Sequence, residues 1–163
     1  MQGHFSTSQI IKYSLISGIV AGVLFIAFQS LFAMGTITGR HAQTYMELGA
    51  YSILQASVMA WLVHLLVSIA YAGVSTIIFA INPSIWVSIA QTVALGWVTT
   101  LLATPANVFV MKLLGTLSVP ALSSLPPVNT SIDAKLVLHI AFFVLVIAIL
   151  YVFHKRSNNP NAS

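Results

Sequence analysis

The chain contains no cysteine, so disulfides, thiolate nucleophiles and cysteine-ligated metal or iron–sulfur centres are excluded. Acidic residues are almost as scarce, because Glu47 and Asp133 are the only two in 163 residues. Neither lies within an apolar segment, which argues against a proton pump or an ion-coupled transporter that relays protons through buried carboxylates. The six Lys and Arg residues form no basic patch, so no nucleic-acid-binding surface is indicated.

Apolar residues dominate the rest of the composition. Hydrophobic residues make up 58% of the chain and charged residues 5%, and the mean hydropathy is +0.98. So little polar surface cannot cover a water-soluble globule, and the main partner is therefore the lipid bilayer. Crossing about 30 Å of hydrocarbon takes roughly 20 helical residues. Four segments are long enough: residues 13–34, 53–80, 84–104 and 135–153.

These segments predict an all-α, polytopic membrane protein with an internal repeat. A single offset along the chain places Ser14, Gly18 and Gly22 on Ser88, Thr92 and Gly96. Almost the same offset places His64 on His139. We therefore expect one membrane domain over residues 1–163 with short terminal tails, built as two tandem hairpins at about residues 13–80 and 84–153, related by an axis along the membrane normal.

Small residues recur at every fourth position in the first three segments. Lipid tails are as apolar as leucine, so membrane helices associate through close backbone approach, which such stripes permit. We interpret the stripes as packing surfaces; the alternative is a substrate path lined by hydroxyl groups. The predicted packing residues are Ser14, Gly18, Gly22, Ala60, Ser68, Ala72, Thr76, Ser88, Thr92, Gly96 and Thr100.

Histidines are the candidate site residues. His64 interrupts the stripe of its helix, and His139 occupies the equivalent place in the second hairpin, so both rings are expected at one depth, facing the bundle interior. His41, in the first long connection, is a third candidate. The favoured interpretation is structural histidines bonded to backbone carbonyls; the alternatives are proton-linked gating, a metal site or axial ligation of haem. The sequence predicts no resident cofactor or metal.

The connections differ in length. Asn82 and Pro83 form a tight turn, which predicts that the second and third membrane helices are antiparallel neighbours. Residues 35–52 and 105–134 form long connections on the opposite side. For residues 106–114, in the second of these connections, we prefer an interfacial helix to continuation of the third helix past Pro105. The proline-rich residues 119–128 are expected to cover the mouth of the bundle without regular structure.

The orientation depends on a small charge asymmetry. Lys155 and Arg156 directly follow the last helix, so the positive-inside rule favours cytoplasmic termini in an inner, or plasma, membrane. The first segment exceeds the usual length of a signal-peptide core and is followed by no A-x-A site, so we expect it to remain in the mature protein.

Several short runs resemble the YagU-like family of small bacterial inner-membrane proteins. They are His64–Gly73 (HLLVSIAYAG), Ile85-Trp86, the step from Pro105 to Gly115, Pro126-Pro127, His139, His154-Lys155-Arg156 and, in the first helix, Ser17–Gly22. The main match runs from Trp61 to Arg156, about 60% of the chain. The resemblance implies a multi-pass topology and draws attention to His64 and His139, but it implies no reaction.

The leading functional expectation is a non-enzymatic structural or accessory role, or one in envelope homeostasis. Other membrane subunits or further copies of the chain are possible partners. One alternative is a small channel or transporter with a two-histidine mouth, and another is a membrane electron carrier that binds haem b.

Overall fold

The structure, a computed structural model, describes residues 5–31 and 35–158 and is all-helical in those ranges. Its helices are α1 (Thr7–Leu31), α2 (Ile37–Gly49), α3 (Ile53–Ile81), α4 (Ile85–Thr116) and α5 (Ala134–Asn158), with a 3₁₀ turn at Leu122–Ser124. Four of them, α1, α3, α4 and α5, are long and apolar enough to cross a membrane. The prediction of an all-α protein with four membrane helices is confirmed. Residues 32–34, at the end of the first predicted segment, lie outside the described residues.

Two of the membrane helices, α3 and α4, are the longest and exceed what the bilayer requires by the most. At 1.5 Å per residue, the 29 residues of α3 extend about 44 Å and the 32 residues of α4 about 48 Å. Both exceed the hydrocarbon thickness of about 30 Å. The start of α3 and the end of α4 lie on the same side, so their excess length projects together toward the long connections.

Polar side chains fix where the helices begin. Ser52 and Gln55 form a reciprocal capping box at the start of α3, and the Ser84 hydroxyl accepts the Val87 N–H at the start of α4. Asp133 does the same for α5, where its carboxylate accepts the Lys135 N–H at 2.9 Å.

Helix α4 continues without interruption through Pro105, so the expected interfacial helix over residues 106–114 was wrong. Proline has no N–H to donate to the carbonyl of Leu101, four residues earlier, and that loss normally bends or ends a helix. Here the backbone N–H of Asn129, in the second long connection, donates to Leu101 O at 3.0 Å. The connection supplies the missing donor, which allows the helix to continue.

Helix α2 lies in the first long connection, where no helix was predicted. Its N-terminus is capped by Thr36, and Gln29 Oε1 of α1 accepts the Ile37 N–H at 2.9 Å. Its buried face packs on the projecting parts of α3 and α4, in a cluster made by Ala42, Tyr45, Ala56 and Ala60 with Tyr51, Met59, Met111 and Leu114 at its edge. We call this layer of α2, the start of α3 and the end of α4 the cap.

The membrane helices pack mainly in two pairs, α1 with α3 and α4 with α5, and α1 also packs on α5. This pairing is consistent with two tandem hairpins. The tight turn at Asn82 and Pro83 joins α3 to α4, yet these two helices pack mainly against α1 and α5 rather than against each other. The tight turn therefore joins the two hairpins, and the main pairing of the membrane helices lies within each hairpin.

The half of the bundle nearest the termini is filled by aromatic and aliphatic side chains. Phe5 contacts Tyr13, and Phe79 contacts Tyr151, each with ring centroids 4.9 Å apart in an edge-on arrangement. Deeper in the bundle, Phe143, Val146 and Leu150 of α5 are almost completely buried. This half of the bundle forms the main core.

Candidate functional site

The predicted packing residues all lie in buried positions between helices. Gly18 makes the closest approach, because a Cβ added there would lie 2.6 Å from Ile69 Cα of α3. Gly96 of α4 is similarly close to α5, where an added Cβ would lie 3.3 Å from Ile140 Cα. The buried set comprises Ser14, Gly18, Gly22, Ala60, Ser68, Ala72, Thr76, Ser88, Thr92, Gly96 and Thr100. Thr76 and Thr100 also donate their hydroxyls to carbonyls four residues earlier in their own helices, both at 2.7 Å.

His64 of α3 is hydrogen-bonded to the backbone of α1. Its Nε2 lies 2.9 Å from Gly22 O, and since a carbonyl can only accept, Nε2 carries the proton. The glycine lets α3 approach closely enough for this bond, because an added Cβ at Gly22 would lie 2.8 Å from Ser68 Oγ. The ring therefore fixes the register of α1 against α3.

His139 of α5 makes the corresponding contact in the second hairpin through a hydroxyl. Its Nδ1 lies 3.0 Å from Thr100 Oγ1, and that hydroxyl donates to Gly96 O. Because the one hydroxyl proton is used in this way, Nδ1 of His139 is the donor to Thr100. Gly22 and Gly96 are equivalent in the repeat, so each histidine is linked to the same carbonyl position of its own hairpin.

Phe25 of α1 lies beside both histidine rings. Its ring centroid is 5.9 Å from that of His64 and 5.5 Å from that of His139. The two histidines and Phe25 line a cavity of about 120 Å³, which we call the apolar cavity because most of its wall comes from side chains such as Val63, Val67 and Phe142. Ligand pockets usually have about 300–1,000 Å³, so this space suits a small group or part of a chain rather than a macrocycle.

A larger cavity of about 290 Å³ adjoins it beneath α2. We call this the polar cavity, because its wall includes His41 and Arg40 of α2, Lys135 and His139 of α5, and Asn107 of α4. His139, Phe25, Ile37, Ala103 and Asn107 line both cavities. The structure therefore brings the three predicted histidines to two adjoining cavities at the long-connection end of the bundle.

His41 is the most deeply buried of the three, with 4% of its surface exposed. Its Nδ1 has no hydrogen-bond partner within residues 5–31 and 35–158. Burial, reinforced by the neighbouring Arg40 guanidinium and by His64, lowers the pKa of His41 to about 4, so the ring is neutral at physiological pH. Tyr45, one turn along, is also fully buried, its hydroxyl has no partner among the described residues, and burial raises its pKa above the ordinary value of 10.

The chain was compared with protein-family models, curated proteins and solved structures. None of them matches it. The resemblance to the YagU-like family therefore stays a prediction.

Several polar residues of these cavities and of the helix interfaces were not singled out in the sequence. Gln29 is buried at the end of α1, and Asn107 lies on the part of α4 beyond Pro105. Gln91 of α4 is also buried, and neither of its side-chain polar atoms has a partner among the described residues. An amide side chain inside an otherwise apolar segment is the signal that could have identified Gln29 and Gln91.

The described residues offer too few ligands for a metal site. The described residues contain no group of three or more His, Asp or Glu side chains arranged to hold a metal ion. Two histidines alone supply only half of the four ligands of a tetrahedral zinc site.

Proposed function

We propose that this chain is a non-enzymatic accessory protein of a bacterial inner membrane, with both termini in the cytoplasm. The observation that carries the proposal is that the cavities end within the bundle. They lie toward the long-connection side, whereas the half toward the termini is filled by Phe79, Phe143, Leu150 and their neighbours. Neither cavity is lined by residues of that half, so within the described part of the chain these two cavities do not cross the bundle.

The arrangement of the two membrane histidines supports the same role. Nε2 of His64 is hydrogen-bonded to Gly22 O, and Nδ1 of His139 is hydrogen-bonded to Thr100 Oγ1. Both bonds lie within a single hairpin. Histidines held in this way position helices. Many large apolar side chains remain on the outer surface, among them Trp86, Ile85 and Val93, and these suit contact with lipid or with another membrane subunit.

Flux measurements test the proposal. Purified protein reconstituted into proteoliposomes should permit no more K⁺, Cl⁻ or H⁺ flux than empty vesicles, with an added ionophore as the positive control. Flux above background that His64→Ala or His139→Ala abolishes would refute the accessory role.

The second candidate, a small transporter with a histidine-lined mouth, is favoured by one observation. His41, His64 and His139 all line cavities on one side of the bundle. Transport would require the core around Phe79 and Tyr151 to open, so a transporter should show flux that increases in a Phe79→Ala variant. An accessory protein should instead lose stability on that substitution, by about 3–5 kcal/mol, without gaining flux.

A haem-carrying role receives less support. A haem between His64 and His139 would have to displace Phe25 and take Nε2 of His64 from Gly22 O. Absorbance of the purified protein in the Soret region, after addition of haem b, tests this directly: no ligand-type spectral shift is expected.

A further inference from the structure

The polar cavity lies where several helix ends meet. Its wall is formed by the end of α1, the first turns of α2 and α5, and the part of α4 on both sides of Pro105. Its volume of about 290 Å³ approaches the lower limit of ordinary ligand pockets, about 300 Å³. It is therefore large enough for a small polar group.

The charges in this wall are all positive. Arg40 and Lys135 line the cavity from different helices, and no Asp or Glu of the described chain does so. The carboxylate of Asp133 is bound to the Lys135 N–H at the start of α5, and that of Glu47 accepts an N–H from Gln43 on α2, at 3.0 Å. Neither acid neutralises the cavity from within.

The positions of the two cations are unfavourable for the helices themselves. Both lie in first turns, where the positive end of the helix dipole disfavours a cation. Neither first turn contains an acidic residue. The Arg40 side chain donates from Nη1 to Gly35 O, and no hydrogen bond from Lys135 Nζ to the described residues is present. The carboxylate of Asp133 caps α5 and offsets part of the positive charge at that end, whereas the first turn of α2 contains no acid, so the wall of the cavity stays net positive.

An unpaired buried nitrogen completes the site. Only 4% of the His41 surface is exposed, the residue lines this cavity, and its Nδ1 has no partner in the part of the chain that is described. Native proteins seldom leave such an atom unsatisfied, because on burial it loses its hydrogen bond to water and gains none in return. An oxyanion in the cavity would accept from His41 as well as from the two cations.

The adjoining apolar cavity adds a second property. It shares His139, Phe25 and Asn107 with the polar cavity and continues into a wall of Val63, Val67 and Phe142. A charged chamber beside an apolar slot, at the end of a membrane bundle, matches a lipid headgroup with the beginning of its acyl chain.

We propose that the polar cavity binds a phosphate-type anion through Arg40, Lys135 and His41, and that the anion is the headgroup phosphate of an anionic phospholipid whose chain enters the apolar cavity. The same oxyanion chemistry would accept free phosphate, so the two sources have to be separated by experiment. Phosphatidylcholine has the same phosphate diester beside a quaternary ammonium, which the cations of the site repel.

The experiment measures lipid binding to the full-length protein in neutral detergent. Binding of phosphatidylglycerol, phosphatidylcholine, glycerol phosphate and inorganic phosphate is compared by native mass spectrometry and by thermal stabilisation. We expect phosphatidylglycerol to bind at least tenfold more tightly than phosphatidylcholine. Equal binding of these two lipids would overturn the proposal without any variant being needed.

Variants then locate the site. The double substitution Arg40→Gln with Lys135→Gln should weaken phosphatidylglycerol binding at least tenfold, whereas Lys155→Gln with Arg156→Gln, at the opposite end of α5, makes the same charge change and should alter binding less than twofold. Arg40→Lys with Lys135→Arg keeps the charge and should retain most of the affinity, which separates loss of the site from loss of folding. Equal weakening by the two charge-removing pairs would contradict the proposal. Binding of glycerol phosphate or inorganic phosphate as tight as that of phosphatidylglycerol, and lost in the Arg40 and Lys135 variant, would support the anion site and assign it to a soluble phosphate.

Discussion

Replacing Gly18 with alanine should force α1 and α3 apart. The added Cβ would lie 2.6 Å from Ile69 Cα and 3.0 Å from Ser68 O. Carbon atoms in contact are normally about 3.5–4.0 Å apart, so the backbone of α3 would have to retreat by about 1 Å. No rotamer change can relieve the contact, because both neighbouring atoms belong to the main chain.

The expected size of the effect comes from two opposing contributions. Overpacking a well-packed interface costs about 1–3 kcal/mol, and a backbone neighbour places this case in the upper part of that range. Alanine is favoured over glycine inside a helix by about 1 kcal/mol, which offsets part of the loss. We therefore expect Gly18→Ala to reduce the free energy of unfolding by about 1–2 kcal/mol.

Gly73→Ala is the matched control, because it makes the same chemical change in the same pair of helices. A Cβ at Gly73 would lie 3.8 Å from Ser14 Oγ, which is ordinary contact. This variant should be unchanged or more stable by up to about 1 kcal/mol. Unfolding in mixed micelles, followed by far-UV circular dichroism as the fraction of sodium dodecyl sulfate rises, gives both values. If the two variants proved equally stable, close approach at Gly18 would not hold the helices together.

Three further predictions concern other parts of the chain. Reporter fusions at Ser163 and within residues 122–130 should report opposite sides of the membrane, since an even number of spans places both termini on one face and the long connections on the other; identical reports would mean that a span was miscounted. Lowering the pH from 6.5 toward 4 should destabilise the fold, because burial, Arg40 and His64 lower the pKa of His41 from the ordinary 6.5 to about 4 in the folded protein, so His41 protonates first in the unfolded chain. At about 1.4 kcal/mol per pKa unit, the loss of unfolding free energy approaches about 3 kcal/mol. The variant His41→Asn should remove that part of the pH dependence of the unfolding midpoint. Ala50→Gly should stabilise the protein by about 0.5–1 kcal/mol, because Ala50 ends α2 in the left-handed region with a φ of 53°, and a lower melting temperature for this variant would contradict that explanation.

The membrane helices were predictable because their signal is strong and local. An apolar run long enough to cross the bilayer has few other structures available there, so the segments 53–80 and 84–104 correspond closely to α3 and to the first part of α4. The small residues and both membrane histidines could also be placed on inward faces, since each follows the spacing of its own helix. These inferences need no knowledge of distant contacts.

The cap was not predictable by the same means. Helix α2 has its buried residues at helical spacing, namely Thr38, His41, Ala42 and Tyr45, but the segment is mostly polar and was interpreted as a loop. Continuation of α4 depends on a donor from Asn129, which lies far beyond Pro105 in the chain, on the other side of the proline-rich stretch. The polar cavity exists only when both features are present, so the joint role of Arg40, Lys135 and His41 could not be recognised from local pattern.

The position of α2 has a consequence for the order in which the protein is made. A helix of 13 residues is marginal by itself, and α2 packs both on α3, which follows it directly, and on α4, which the ribosome adds later. Leu48 packs on Gly115, and the Tyr51 hydroxyl, just after α2, donates to Leu114 O at 3.0 Å. A nascent chain that ends after α3 therefore has the α3 side of the cap but lacks the α4 side. Assembly of the cap should coincide with insertion of the second hairpin, and a chain released before that point would expose α2 to proteolysis.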